Sequence, residues 1–288
     1  LLKSLFILLI MFPKISHTSR KVGIAHFSVL SILIQSSKIL AHSQKSRKTS
    51  IIAAMSTTPL ELSGKKRAER VQKMFSKIAR RYDLMNRIMT AGQDIHWRRE
   101  VIRHAKLDTG DSLLDLGAGT GDLAREALRQ YPDSHPVAAD FTLEMMRVGQ
   151  KTGPLDWSAA DALNLPFPDK SFNAIVSGFL MRNVTDVQRA LKEQYRTLKP
   201  GGRIIILDTT KPRPNILAPL INIHLNYVIP FIGGLLTGER EAYTYLPDST
   251  KSFLRAEELA VHMAAAGFKR INFDVKMFGT VAIHWGQK

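Results

Sequence analysis

The sequence predicts an α/β fold in which a mostly parallel sheet with one antiparallel strand carries helices on both faces. Three observations support this prediction. Short apolar runs of strand length alternate with amphipathic segments of helical period through most of residues 66–266. Residues 117–121 form a turn with glycine at every second position, directly after the first apolar run. Two apolar runs within residues 271–285 meet at Gly279, which indicates a closing hairpin.

Residues 66–82 form the first predicted helix. Their apolar side chains recur at three- and four-residue spacing, which places them on one face, with Lys and Arg around the other side. These apolar positions are Val71, Met74, Phe75, Ile78, Ala79 and Tyr82. Residues 84–89 and 97–105 continue as helices, so additional N-terminal helices precede the first strand.

Residues 113–122 read Leu-Leu-Asp-Leu-Gly-Ala-Gly-Thr-Gly-Asp and predict a strand, a tight turn and a helix over residues 123–130. Glycine lets a ligand lie against the backbone, and the helix N-terminus offers unpaired N–H groups to an anionic ligand group. The pattern therefore predicts a site for a small, partly anionic molecule.

The spacing of this turn selects among nucleotide-like ligands. A dinucleotide turn requires Gly-x-Gly-x-x-Gly, and a phosphate loop requires Lys where Asp122 stands. Asp115, just before the glycines, would repel a pyrophosphate. It suits a positively charged group, such as the ammonium of a methionine moiety.

Acids also mark the next two predicted strands. Residues 136–140 end at Asp140, which is placed to accept hydrogen bonds from ribose hydroxyls, as it would be in a dehydrogenase. Residues 157–162 form the third strand, with Asp161 at its end. The remaining elements are a fourth strand over 172–177, a helix over 185–198, a turn over 198–202, a fifth strand over 203–208, a helix over 256–266 stopped by Gly267, and closing strands over 271–278 and 280–285.

Residues 216–236 carry no charge. A membrane-spanning helix is one interpretation, but Pro219, Pro230 and the pair Gly233-Gly234 would interrupt it. We interpret the stretch as an apolar helical cover over the active site, suited to a hydrophobic substrate. Ordinary core helices are the alternative.

Composition bounds the function further. The 288 residues include no cysteine, which excludes disulfides, thiolate metal sites and a cysteine nucleophile. The nine histidines form no pair within one helical turn, so no metal site is expected. Residues 65–107 hold thirteen Lys and Arg against four acids, a basic character that suits nucleic acid or an anionic membrane surface, or simply solvated helix faces.

Residues 1–60 are a basic, Ser-rich extension with eight of the 41 Lys and Arg residues and no acid. We expect this segment to be disordered, processed or non-native, since residues 55–58 read as a natural start and the folded domain is expected over residues 61–288. An organelle transit peptide or a membrane anchor over residues 1–54 are the alternatives.

The chain resembles the class I S-adenosylmethionine-dependent methyltransferases. The motifs that carry this resemblance are Asp115 to Gly121, Asp140, Asp161-Ala162 and residues 198–202. More narrowly it resembles the ubiquinone/menaquinone C-methyltransferase family over about residues 65–286. The motifs for this narrower resemblance are Arg81-Tyr82-Asp83-Leu84-Met85-Asn86, Leu165-Pro166-Phe167-Pro168-Asp169, Arg182-Asn183-Val184-Thr185-Asp186 and Tyr243-x-Tyr245-Leu246-x-x-Ser249.

The resemblance implies a Rossmann-like sheet of seven strands and S-adenosylmethionine as methyl donor. It implies that the donor contacts Asp115, Gly117, Gly119, Thr120, Asp140, Phe141, Asp161, Ala162 and Gly178. Among these, Asp140 would hold the ribose, Phe141 would pack on the adenine and Asp161 would hydrogen-bond its amino group. Gly178 departs from the family pattern, which commonly has serine at this position.

For catalysis the resemblance implies that a ring carbon of a reduced quinone is the nucleophile. Arg182 and Asn183 would hold the oxyanion of the ionised quinol, and Tyr82 would hydrogen-bond its second oxygen or relay the proton. The alternatives are a salt bridge with Asp186 for Arg182 and simple packing for Tyr82.

The expected reaction is C-methylation of a prenyl quinol, demethylmenaquinol to menaquinol. A phylloquinone or ubiquinone precursor and a sterol-like acceptor are alternatives. A nucleic-acid methyltransferase is disfavoured, because the chain lacks both a catalytic cysteine and an Asp/Asn-Pro-Pro-aromatic motif. A cytoplasmic or organellar protein in peripheral contact with an anionic membrane is expected, as a homodimer or within a quinone-biosynthesis assembly.

Overall fold

The computed structural model describes residues 64–211, residue 249 and residues 253–288. Its strands are β1 (Ser112–Leu116), β2 (His135–Asp140), β3 (Asp156–Ala159), β4 (Phe172–Gly178), β5 (Leu198–Thr209), β6 (Lys269–Lys276) and β7 (Val281–Gln287). They form one sheet in the order β3-β2-β1-β4-β5-β7-β6. β1 to β5 pair in parallel, and β7 is antiparallel to both β5 and β6. The predicted sheet of seven strands with one antiparallel strand is confirmed.

The central strands are buried on both faces, as expected for parallel strands covered by helices. Ile204, Ile205, Ile206 and Leu207 of β5 are fully buried. Because side chains alternate along a strand, Ile204 and Ile206 belong to one apolar cluster while Ile205 and Leu207 belong to another. The sheet therefore separates two cores, and the predicted helices on both faces are confirmed.

The described helices are α1 (Gly64–Ile78), α2 (Tyr82–Met89), α3 (Gln93–Ala105), α4 (Asp122–Gln130), α5 (Leu143–Gly149), α6 (Val187–Thr197) and α7 (Ala256–Ala265). One core packs α3 and α4 against the sheet, and the other packs α6 and α7. Gly267, at φ +108°, follows α7 and ends it as predicted.

Several predicted boundaries were wrong: the third strand, predicted over 157–162, ends at Ala159, and the strand predicted over 271–278 ends at Lys276. Two further errors are larger. The single helix expected over 66–82 is broken, because a 3₁₀ turn at Ala79–Arg81 separates α1 from α2 and leaves Tyr82 at the start of α2. The turn expected over 198–202 belongs to β5, where Leu198 already pairs with Phe172. The extra residues are accommodated by a register shift before the strand pairs regularly again.

Several predictions lie outside the described residues. These are the N-terminal extension over residues 1–60, the apolar cover over 216–236 and most of the motif that begins at Tyr243. Among the helices that are described, none has the length and apolar character needed to cross a membrane.

Candidate active site

A cavity opens at the carboxyl ends of β1, β2 and β4, and helices α1 and α2 contribute to its wall. Such a position is where ligands bind in open α/β sheets, since connecting loops diverge there. All nine predicted donor-binding residues line it: Asp115, Gly117, Gly119, Thr120, Asp140, Phe141, Asp161, Ala162 and Gly178. Tyr82 and Asn183 line the same cavity.

The glycine turn is fixed by its backbone and by its neighbours. Gly117, Gly119 and Gly121 have φ values of +69°, +59° and +89°, which disfavour any residue with a Cβ. A Cβ on Gly117 would lie 2.8 Å from Leu180 Cδ1, and one on Gly119 would lie 3.1 Å from Met145 Cε. Backbone conformation and packing therefore both favour glycine at Gly117 and Gly119.

Asp115 is a buried carboxyl with one free acceptor. Its Oδ2 accepts a hydrogen bond from the backbone N–H of Ala124 at 3.0 Å, in the first turn of α4. Its Oδ1 is buried and finds no hydrogen-bond partner within residues 64–211 and 253–288. Burial raises the pKa of Asp115 to about 7. An unpaired buried acceptor of this kind suits a ligand that donates hydrogen bonds and carries positive charge.

Asp140 ties the glycine turn to the end of β2. Its Oδ2 accepts from Gly119 N at 2.7 Å and its Oδ1 from Thr142 N at 2.6 Å. Burial raises the pKa of this carboxyl against the opposing effect of these hydrogen bonds. The neighbouring Phe141 ring is 46% exposed at the cavity, which leaves an apolar face for a planar group.

The remaining residues predicted to contact the methyl donor are less favourably placed to bind it. Asp161 lies two residues beyond β3, is exposed, and its Oδ1 already accepts from Leu163 N at 2.9 Å. Ala162 is buried beside it. Gly178 ends β4, and a Cβ there would lie 3.4 Å from Leu123 Cδ1, which is ordinary contact distance. The preceding Ser177 is fully buried, and its Oγ has no hydrogen-bond partner.

The three predicted catalytic residues are not placed alike. Tyr82 lines the cavity, and burial raises the pKa of its phenol, against the effects of Asn86 and Arg182. Asn183 also lines it, with its side-chain amide donating to Phe179 O at 2.9 Å. Arg182 is absent from the cavity wall, and its guanidinium carbon lies 5.0 Å above the Phe179 ring centre.

The salt bridge with Asp186 considered for Arg182 is not formed. Asp186 instead caps α6 by accepting from Arg189 N at 2.9 Å. Arg182 pairs with the buried Asp208, with 3.8 Å between Arg182 Nη1 and Asp208 Oδ1. Sequence reasoning missed Asp208 as a site residue. It is an acid at the end of the predicted strand over residues 203–208, and the same signal identified Asp140.

Sequence reasoning also missed a charged network beneath the glycine turn. Thr120 Oγ1 donates to both oxygens of Asp83 at 2.9 Å. Arg98 of α3 pairs with Asp122 at the start of α4, and its Nη1 lies 3.3 Å from the buried Asp94. Burial raises the pKa of Asp83, with Asp122 as a further cause. The network fastens helices α2 and α3 to the donor-binding turn.

The sheet order, the glycine turn and the acids at the strand ends define a class I S-adenosylmethionine-dependent methyltransferase. Within the described residues no group of three or more His, Cys, Asp or Glu side chains is arranged to hold a metal ion. The model of the ubiE/COQ5 methyltransferase family matches residues 63–288, so the chain belongs to this family.

Curated relatives agree with this family. The ubiquinone/menaquinone biosynthesis C-methyltransferase UbiE of Desulfotalea psychrophila is 44% identical over 221 residues, covering 76% of this chain and 90% of that protein. The demethylmenaquinone methyltransferase of Thermus thermophilus is 40% identical over 220 residues, covering 75% and 100%. Among solved structures, the cyclase SpnF shares the fold, with a TM-score of 0.56, 17% identity and coverage of 77% and 96%.

Proposed function

We propose that this methyltransferase acts on a ring carbon of a demethylated prenyl quinol, with demethylmenaquinol as the acceptor and menaquinol as the product. One observation carries the proposal: the donor-binding positions share a single cavity with Tyr82 and Asn183. The names of the relatives support a quinol acceptor. A benzoquinol precursor is the second candidate, because the name of the Desulfotalea relative includes ubiquinone.

The cavity has chemistry that fits S-adenosylmethionine. The unpaired Oδ1 of Asp115 would accept from the donor's ammonium, and the turn over residues 117–121 would carry the methionine part. Asp140 can accept further hydrogen bonds from the ribose, since each carboxylate oxygen has two lone pairs. The exposed ring of Phe141 would cover the adenine, with Asp161 at its edge.

S-adenosylmethionine would supply the electrophilic methyl group: its bond to sulfur breaks as the bond to the ring carbon forms, S-adenosylhomocysteine leaves, and the ring carbon loses its proton to water as the aromatic ring is restored. The protein's part is to align the acceptor, exclude water and stabilise the ionised hydroxyl that activates the ring. Arg182 and Asn183 would hold that oxyanion. Because burial raises its pKa, Tyr82 stays neutral near pH 7 and can donate to the second quinol oxygen.

A panel of reduced demethylated quinones, incubated with the labelled methyl donor, tests this proposal. We expect turnover with naphthoquinols that carry a prenyl chain and a free ring position, and none with matched quinols in which that position is already methylated. Turnover confined to benzoquinols would favour the second candidate. An enzyme that binds the donor but methylates no quinol would refute the proposal.

We further propose that the protein reaches its membrane-dissolved acceptor by docking on an anionic bilayer through α2 and α3. Three large apolar side chains are exposed on these helices: Leu84 by 53%, Ile88 by 39% and Ile95 by 36%. Exposed arginines lie close to them in sequence, at positions 80, 81, 87 and 99. Apolar groups that insert and cations that attract acidic headgroups are the two contributions that hold peripheral proteins on membranes.

Vesicle flotation tests this docking surface. Leu84→Glu combined with Ile88→Glu should abolish binding to vesicles rich in phosphatidylglycerol at low salt, because both the insertion and the charge match are lost. Val261→Glu on α7 is the matched control, since Val261 is 68% exposed on another helix. Equal flotation of both variants, or no flotation of the unmodified protein, would contradict the proposed surface.

A further inference from the structure

Asp208 lies at the end of β5 and contacts Arg182 in two ways. The backbone N–H of Arg182 donates to Asp208 Oδ2 at 3.2 Å, and Arg182 Nη1 lies 3.8 Å from Asp208 Oδ1. The backbone N–H of Thr209 also donates to Asp208 Oδ1, at 2.7 Å, and this bond fixes the orientation of the carboxyl group. Asp208 is 1% exposed and Arg182 is 7% exposed, so the pair is shielded from water.

The guanidinium of Arg182 has neighbours on two sides, but one of its hydrogen-bond donors is left without an acceptor among the described residues. Asp208 faces one end of it, and the ring of Phe179 faces its plane, with 5.0 Å between the guanidinium carbon and the ring centre. Its Nε is buried and has no hydrogen-bond partner among the residues that the structure describes. Since a guanidinium is a rigid planar fork, anchoring one end sets the direction of the remaining N–H groups. A buried donor left unpaired points to a ligand acceptor.

The pair also acts electrostatically on the cavity wall. Arg182 lowers the pKa of Tyr82, against the larger effect of burial, so its charge is felt at a residue that lines the cavity. Burial raises the pKa of Asp208, and the Arg182 charge opposes that rise. Arg67 of α1 is a further charged residue in contact with Arg182, and it donates to Arg182 O at 3.2 Å. Arg98 and Asp83 also act on Tyr82.

We propose that Asp208 is the positioning residue for Arg182: it holds the guanidinium against Phe179, a residue of the cavity wall, so that the unpaired Nε–H can reach the acceptor's oxyanion past this wall residue once the acceptor is bound, and it offsets part of the guanidinium charge. The inference rests on the proposed function, in which Arg182 holds that oxyanion. It has two consequences. Without Asp208 the N–H groups of Arg182 are no longer held in one orientation, so kcat falls. Loss of its negative charge leaves the guanidinium uncompensated, so the bound quinol ionises at lower pH.

The test measures kcat, the pH dependence of kcat and the Kd for S-adenosylmethionine in five proteins: the unmodified enzyme, Asp208→Asn, Asp208→Glu, Arg182→Ala and the double variant Arg182→Ala/Asp208→Asn. We expect Asp208→Asn to lower kcat at least tenfold with an unchanged donor Kd, and to move the acid limb of kcat to lower pH, because kcat reports the ionisations of the bound complex. Asp208→Glu, which keeps the charge, should restore the position of that limb.

The double variant keeps the inference testable if Asp208→Asn alone does not fold, because it removes both buried charges together. Its kcat should equal that of Arg182→Ala, since Asp208 acts through Arg182. A further tenfold loss in the double variant, or unmodified kcat and pH limb in Asp208→Asn, would overturn the inference. Failure of the unmodified enzyme to methylate any quinol would instead refute the proposed function.

Discussion

Replacing Asp115 by Asn should change how the stability of the protein depends on pH. The carboxyl is 1% exposed, and burial raises its pKa from 3.8 to about 7. Between these values the unfolded chain has lost a proton that the folded chain retains, so this group makes folding less favourable as pH rises. At 1.36 kcal/mol per pKa unit, the loss is about 4 kcal/mol between pH 4 and pH 7.

Asn cannot ionise but keeps an oxygen that accepts from Ala124 N, so Asp115→Asn lacks this contribution. Relative to the unmodified protein, it should gain about 4 kcal/mol in unfolding free energy between pH 4 and pH 8. Urea unfolding at a series of pH values measures this difference, and Asp133→Asn at an exposed position is the matched control. A stability difference that stays constant with pH would refute the reasoning about Asp115.

The same carboxyl links donor binding to protons. A ligand ammonium at Asp115 Oδ1 favours the ionised form, so binding near pH 6.5 should release part of a proton. Calorimetry of S-adenosylmethionine binding in buffers with different ionisation enthalpies detects that release. Asp115→Asn should bind the donor more weakly and without it. Proton release that persists in the variant would assign the effect to another group.

Three further predictions concern the walls of the cavity. Gly117→Ala should lower the unfolding free energy by about 1–3 kcal/mol in urea unfolding, because φ is +69° and the new Cβ would lie 2.8 Å from Leu180. Adding Leu180→Ala to this variant should remove the steric part of the loss and leave the part due to φ. Asp83→Asn should cost about 1 kcal/mol and weaken donor binding in calorimetry, since Thr120 Oγ1 donates to its carboxylate at 2.9 Å; unchanged donor Kd would contradict a role for this network. Phe141→Ala should leave stability within about 0.5 kcal/mol, because the ring is 46% exposed, yet weaken donor binding about tenfold through lost stacking on the adenine.

The strand-end acids and the glycine turn that line the cavity could be predicted because their signals are local. Strand-end acids and a glycine turn are close in sequence to the backbone they shape, so Asp115, Asp140 and Gly119 were found without knowledge of packing. Parallel strands bring their carboxyl ends to one edge of the sheet, which gathers these residues in space. The parallel sheet with one antiparallel strand followed from the alternation of helices and strands and from the closing hairpin, whereas the order of the strands was not predicted.

The contacts that sequence reasoning missed depend on packing between distant elements. The contact between Asp83 and Thr120 joins residues 37 positions apart, and the bond between Asp208 and Arg182 joins residues 26 positions apart. Nothing in the local pattern of Arg98 shows that α3 carries it beneath the glycine turn. The break between α1 and α2, which sets the position of Tyr82, was also hidden, because the apolar spacing continues through it.

The position of the transferred methyl group in the product tests the central claim most directly. Incubation with a demethylated prenyl naphthoquinol and a donor carrying a ¹³C-labelled methyl group gives a product for NMR spectroscopy. We predict a single labelled methyl signal in the aryl-methyl region, absent in Arg182→Ala. A labelled methoxy signal, which would show transfer to oxygen, or a quinol recovered without label would contradict C-methylation at this site.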